Sequence, residues 1–155
     1  MNRKLARRIV PRVISFLAVG LLLAGPLCIP EAEGNMPAVY TPAPGTAERR
    51  AILDAMRLEV KALHQLDVVF VVVSMKACNG WAFAHTRPRS GDGSSRYEDF
   101  LALLHRVKGT WWVVEIPCTE EDNPDCIGSP GYLTKLVARF PGLPPGILPG
   151  NGRKP

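Results

Sequence analysis

The chain has no uninterrupted apolar run of the roughly 20 residues a membrane-spanning helix requires, since Gly25, Pro26 and Pro30 break up its one long apolar stretch. It has no Gly-x-Ser-x-Gly elbow and no glycine loop completed by Lys-Ser/Thr. The sequence therefore gives no sign of a nucleophile-elbow hydrolase or of a phosphate-cradling nucleotide site. Internal repeats are absent as well. Histidine is scarce, and His64, His85 and His105 lie about twenty residues apart, a spacing that matches no compact metal motif. No motif implies a metal or a cofactor. An excess of positive charge is also missing from most of the chain. The formal charge is +5, yet five of the 19 basic residues fall within the first 34 positions beside two of the 14 acidic ones, leaving 14 against 12. A nucleic-acid partner loses its compositional support.

The N-terminal segment, by contrast, is strongly patterned. Arg3, Lys4, Arg7, Arg8 and Arg12 precede about twelve mostly apolar residues, Val13–Ala24, which is the layout of a secretory signal. Ala32-Glu33-Gly34 offers small residues for cleavage before Asn35. Residues 1–34 are thus expected to be a signal peptide and the protein to be exported, periplasmic or secreted. The membrane would be involved only through this segment. An uncleaved anchor is the alternative. Leu27 before Cys28 departs from a lipidation signal, and the residues after Arg7-Arg8 depart from a twin-arginine signal.

Residues 35–45 are rich in proline and read as an extended linker. Thr46 can cap a helix reaching about His64, with Glu48 early and Lys61 late to suit its dipole. Ala51, Ala55, Leu58 and Ala62, joined by Ile52, Met56 and Leu63, supply its apolar stripe. Val68–Val73 is too β-branched to prefer helix, and its apolar residues on both faces suggest a central strand. Asn79-Gly80 then marks a hairpin turn, and the returning strand places Trp81, Phe83 and His85 on one face and Ala82 and Ala84 on the other. Pro88–Arg96 reads as a mobile polar loop. Phe100–Pro117 forms a second hairpin around Lys108-Gly109. On its second strand Glu115 marks a wet face shared with Trp111 and Val113, which assigns Trp112, Val114 and Ile116 to the core. A brief helix over Thr134–Phe140 and a Pro/Gly-rich extended tail, 141–155, complete the chain.

These elements predict an α+β fold over residues 46–140. One long N-terminal helix packs on an antiparallel sheet of about four strands, with a short C-terminal helix. Export favours disulfides, and Cys118 with Cys126 makes the simplest pair; a Cys78–Cys118 bridge is the other arrangement. No catalytic constellation is recognisable. Trp111, with His105 and His85, is the candidate binding surface on the sheet's less covered face.

Five segments carry a resemblance: Arg50–Arg57, Gly80–Phe83, Arg96–Asp99, Ala102–Leu104 and Gly109–Glu115. Over residues 47–117 the chain is similar to a group of small bacterial exported proteins with no assigned activity. It also resembles the helix-on-curved-sheet domains of the cystatin-like and nuclear-transport-factor-2-like kinds. Gln65–Val69 does not match the cystatin inhibitor loop Gln-x-Val-x-Gly, so protease inhibition is not implied. The expected function is a non-enzymatic module binding a protein or small ligand. A small enzyme with a cavity between helix and sheet, using His85, His105, Glu115 or Asp99, and a membrane-tethered domain are the alternatives.

Overall fold

A computed structural model describes residues 38–120, 123–129 and 131–150. The chain divides into two units, Met1–Gly34 and Asn35–Pro155, and the described residues all belong to the second. The expected signal segment and its cleavage point lie outside them. No helix of the described residues is long and apolar enough to cross a membrane.

The fold is α+β. Helix α1, Ala47–His64, is followed by strands β1 (Val68–Cys78), β2 (Trp81–Ser90), β3 (Phe100–Val107) and β4 (Thr110–Glu115), then helix α2 (Tyr132–Arg139) and a 3-10 turn at Pro145–Ile147. The strands form one antiparallel sheet in the order β1-β2-β3-β4. Two-residue turns close both outer hairpins. Asn79 and Gly80 have φ of 49° and 76°, and Lys108 and Gly109 have 49° and 86°, the paired positive values that match strand twist.

Thr46 caps α1 as its side chain predicts, accepting from the Arg49 N–H at 3.3 Å. The helix is apolar on two sides, and only one of them is used. Ile52, Met56 and Val60, at i, i+4 and i+8, are buried, whereas Ala51, Leu58, Ala62 and Leu63 are exposed. Bulky side chains bury more area than alanine, which favours the Ile-Met-Val side. The face of the sheet beneath them, called inner here, presents Ala77, Ala82, Ala84 and Ala102 ringed by Phe70, Met75, Leu104 and Trp111. Small residues lie at the middle of this face and large ones fill its margins, where β4 and β1 come nearest the helix.

The outer face alternates with the inner one and has its own core. Cys78, Trp81, Phe83, Leu101 and Leu103 pack there against Tyr132, Leu136, Leu143, Ile147 and Leu148. The segment after residue 140 is therefore not an extended tail through Leu148. Its three apolar side chains seal this second core, and residues 151–155 lie outside the described ones. The expected linker docks too: Tyr40 exchanges hydrogen bonds with Ala77 at the β1 edge, and Pro42 is buried. Cys118 and Cys126 are joined by a disulfide, and Cys78 is buried at the end of β1. A loop this short contributes about 2–3 kcal/mol in the chain-entropy account.

Two expectations about the sheet are also overturned. β1 is an edge strand rather than a central one, and Val69, Val71 and Val73 stand 51%, 39% and 44% exposed. Trp111 is buried at 5%, and Trp112 is 59% exposed. The physical reason for the second is a register shift. Leu104 pairs with Val113 but Leu103 with Glu115, so Val114 is an inserted residue and Glu115 shares the face of Trp112. Glu115 thus marks the side opposite to Trp111. Its carboxylate accepts from the Tyr132 hydroxyl at 3.0 Å and from Arg139 at 2.6 Å, tying α2 to the sheet. Burial, followed by the negative charge of Glu115, pushes the Tyr132 hydroxyl up to about 12.

Two outcomes follow in unfolding experiments. Trp111→Ala should cost about 3–5 kcal/mol in urea denaturation, and Leu58→Ala about 0.5 kcal/mol or less. Because the Tyr132 value is raised in the folded state, its contribution is fully present below the ordinary tyrosine value of about 10 and is lost as pH climbs through about 12. Tyr132→Phe should therefore lose about 1.5 kcal/mol at neutral pH and decline less than the parent between pH 10 and 12.

Candidate functional site

β2 and β3 pair without interruption from Trp81 with His105 to Thr86 with Phe100, and there the ladder opens. It closes again at an isolated bridge between Arg89 and Arg96. Between these points β2 supplies Arg87 and Pro88 while the returning segment supplies Tyr97, Glu98 and Asp99. One extra residue on one side re-aims the neighbouring side chains, as a bulge does. The Tyr97 N–H crosses the gap, donating to the Pro88 carbonyl at 3.0 Å. The result is a hollow of about 210 Å³ lined by Arg87, Pro88, Arg89, Arg96, Tyr97 and Asp99.

The turn beyond it explains why two arginines face each other. The sequence Arg89-Ser-Gly-Asp-Gly-Ser-Ser-Arg96 places one arginine on each flank of a compact turn. The Asp92 carboxylate accepts from the Ser90 hydroxyl at 2.5 Å, the Ser94 N–H at 3.0 Å and the Ser94 hydroxyl at 2.9 Å. Those hydrogen bonds, the Ser90 one foremost, hold its carboxyl down at about 2. Ser90 N–H donates to the Ser95 carbonyl and Ser95 N–H to the Ser90 hydroxyl, at 3.0 and 2.9 Å. The segment expected to be a mobile loop is a hydrogen-bonded clamp.

Arg89 and Arg96 are consequently fixed as direct cross-strand neighbours. Like charges in that position repel, by about 0.7 kcal/mol for unit charges roughly 6 Å apart in water. Among the described residues neither guanidinium has an ion-pair partner. Arg87, two residues before Arg89 on the same face, is held differently, with its Nε 3.5 Å from Asp99 Oδ1.

Behind Asp99 lies His85, only 1% exposed. Its Nε2 is 2.6 Å from Asp99 Oδ2, and since an ionised carboxylate can only accept, that nitrogen is the donor. Nδ1 is buried with no hydrogen-bond partner among the described residues. His105 is elsewhere. It stacks on Trp81 with ring centroids 4.0 Å apart and pairs across the ladder with the exposed Trp112. Four residues along the sheet, roughly 13 Å, separate it from His85. The sequence-predicted residues therefore do not assemble into one surface. His85 and Asp99 meet, His105 and Glu115 belong to other contacts, and Trp111 lies under α1 beside Arg106, whose guanidinium is 5.6 Å from its ring.

Arg87, Arg89 and Arg96 were not singled out from the sequence. The signal that could have found them is the arginine on either flank of a tight serine-glycine-aspartate turn, which forces the pair together once that turn closes. Comparison of the chain with protein-family models, curated proteins and solved structures found no match.

Proposed function

We propose that the chain is an exported, non-enzymatic binding module that takes a small amphiphilic anion on the uncovered end of the sheet's outer face. The observation that carries this reading is the β1–β2 register. It sets exposed Val69 beside Arg89 and exposed Val71 beside Arg87, on the face that α2 and the 3-10 turn cover only at its other end. Apolar and cationic groups side by side suit a ligand with an apolar part and a negative head. The hollow is smaller than the roughly 300–1,000 Å³ of sites that swallow a drug-sized molecule, so it fits a head group while the remainder lies across the valines.

Export is supported by the Cys118–Cys126 disulfide and by the charge and hydropathy pattern of residues 1–34. An 18-residue helix over an antiparallel sheet is the arrangement that a resemblance to cystatin-like and nuclear-transport-factor-2-like domains implies.

The full chain expressed in a secreting bacterium should appear outside the cytoplasm with an N-terminus near Asn35. Retention of residues 1–34 would favour the tethered alternative. Octanoate and octyl phosphate added to the isotope-labelled protein should shift the backbone amide resonances of Val69–Val73 together with those of Arg87–Arg89. Shifts confined to other surfaces, or equal shifts from uncharged octyl glucoside, would overturn the binding reading.

A further inference from the structure

Resting on that reading, the geometry assigns the hollow at Arg87, Arg89, Arg96 and Tyr97 to a doubly charged tetrahedral oxyanion, a phosphate or phosphomonoester head group. Three guanidinium groups and one carboxylate line it, leaving a formal balance of +2. A dianion cancels that balance, and a monoanion leaves half of it. Shape argues the same way. A carboxylate is planar and is satisfied by a single guanidinium fork, whereas a phosphoryl group presents oxygens in several directions and can accept from more than one arginine.

The three arginines are available in different ways. Arg89 and Arg96 are not engaged in any ion pair among the described residues. Arg87 has its Nε side turned to Asp99, which orients the guanidinium and leaves its two terminal nitrogens for a ligand. An anion between Arg89 and Arg96 would convert their repulsion into two attractions. That accounts for a like-charge pair held opposite by a turn as tightly hydrogen-bonded as Ser90–Ser95.

In this arrangement Asp92 is a positioning residue. It does not line the hollow, and it closes the turn that keeps the two arginines opposed. Charge and position then make opposite demands. Removing a negative charge close to an anion site strengthens anion binding, whereas loosening the turn weakens it. Asp92→Ala does both, and Asp92→Asn removes the charge but keeps an oxygen to accept from Ser94 N–H.

The test is titration of the full chain with inorganic phosphate, methyl phosphate and acetate in chloride buffer, followed by calorimetry and by the Arg Nε–H resonances. Phosphate and methyl phosphate should bind at least ten-fold more tightly than acetate and shift the Arg89 and Arg96 signals. Arg89→Ala and Arg96→Ala should each weaken phosphate at least ten-fold, with Arg89→Lys between variant and parent. Lys76→Ala, which removes a like charge from the same face at its other end, should change it less than two-fold. Asp92→Ala should weaken binding and Asp92→Asn should retain it. Acetate matching phosphate while the hollow still responds would overturn the head-group assignment and leave the binding module standing. Arg89→Ala and Arg96→Ala behaving like Lys76→Ala would overturn it as well. Silence of the hollow towards phosphate, acetate and both octyl anions would remove the binding module together with the assignment.

Discussion

The two central strands of the sheet carry small side chains at the middle of one face and large ones on the other. Ala82, Ala84 and Ala102 lie under α1, while Trp81, Phe83, Leu101 and Leu103 lie under the C-terminal layer. Because a strand alternates with a period of two, this one constraint fixes where both layers sit. α1 spans the alanines and approaches the flanking strands β4 and β1 most closely. The aromatic face needs a looser cover, supplied by α2 and the 3-10 turn and anchored through Glu115. β1 is left at the margin with Val69, Val71 and Val73 uncovered, and beyond Thr86 Arg87 emerges on the outer face while Pro88 stays buried.

The candidate site exists because the β2–β3 ladder fails at that margin. Where pairing is continuous, side chains are committed to the two cores. Where it opens, after Thr86 and Phe100, the next residues are Arg87, Pro88, Tyr97 and Asp99, and their polar groups turn to one another and to solvent. His85 sits at the boundary, buried like a core residue yet hydrogen-bonded to Asp99 of the hollow. The site is thus joined to the interior by one short contact and to the surface by the clamp of the Ser90–Ser95 turn.

Much of the fold was legible because it rests on local chemistry. Asn79-Gly80 and Lys108-Gly109 declare hairpins through their backbone freedom, Thr46 declares a helix start, and the alternation around Phe83 declares its faces. The disulfide followed from proximity in sequence. The misplacing of Trp111 depended on an inserted residue. Val114 shifts the alternation by one place, so Glu115 pointed to the wrong side for Trp111, and no local feature of Trp-Trp-Val-Val-Glu announces that insertion. The stripe of α1 was ambiguous for a related reason. Two sides of the helix are apolar, and the partner surface takes the bulkier one. Of the site, Asp99 and His85 were visible as chemistry, whereas the arginines became a group only through the register that the turn imposes.

The meander connectivity bears on how the chain reaches this state. Each strand pairs with its neighbour in sequence, so the sheet requires only short loop closures and its ladders can zip from the two-residue turns outward. The two cores, by contrast, gather residues from the two ends of the described chain onto opposite faces. The layer carrying α2 and Leu143–Leu148 therefore supplies the long-range contacts of the outer face, joining the last described residues to strands whose own pairing is local.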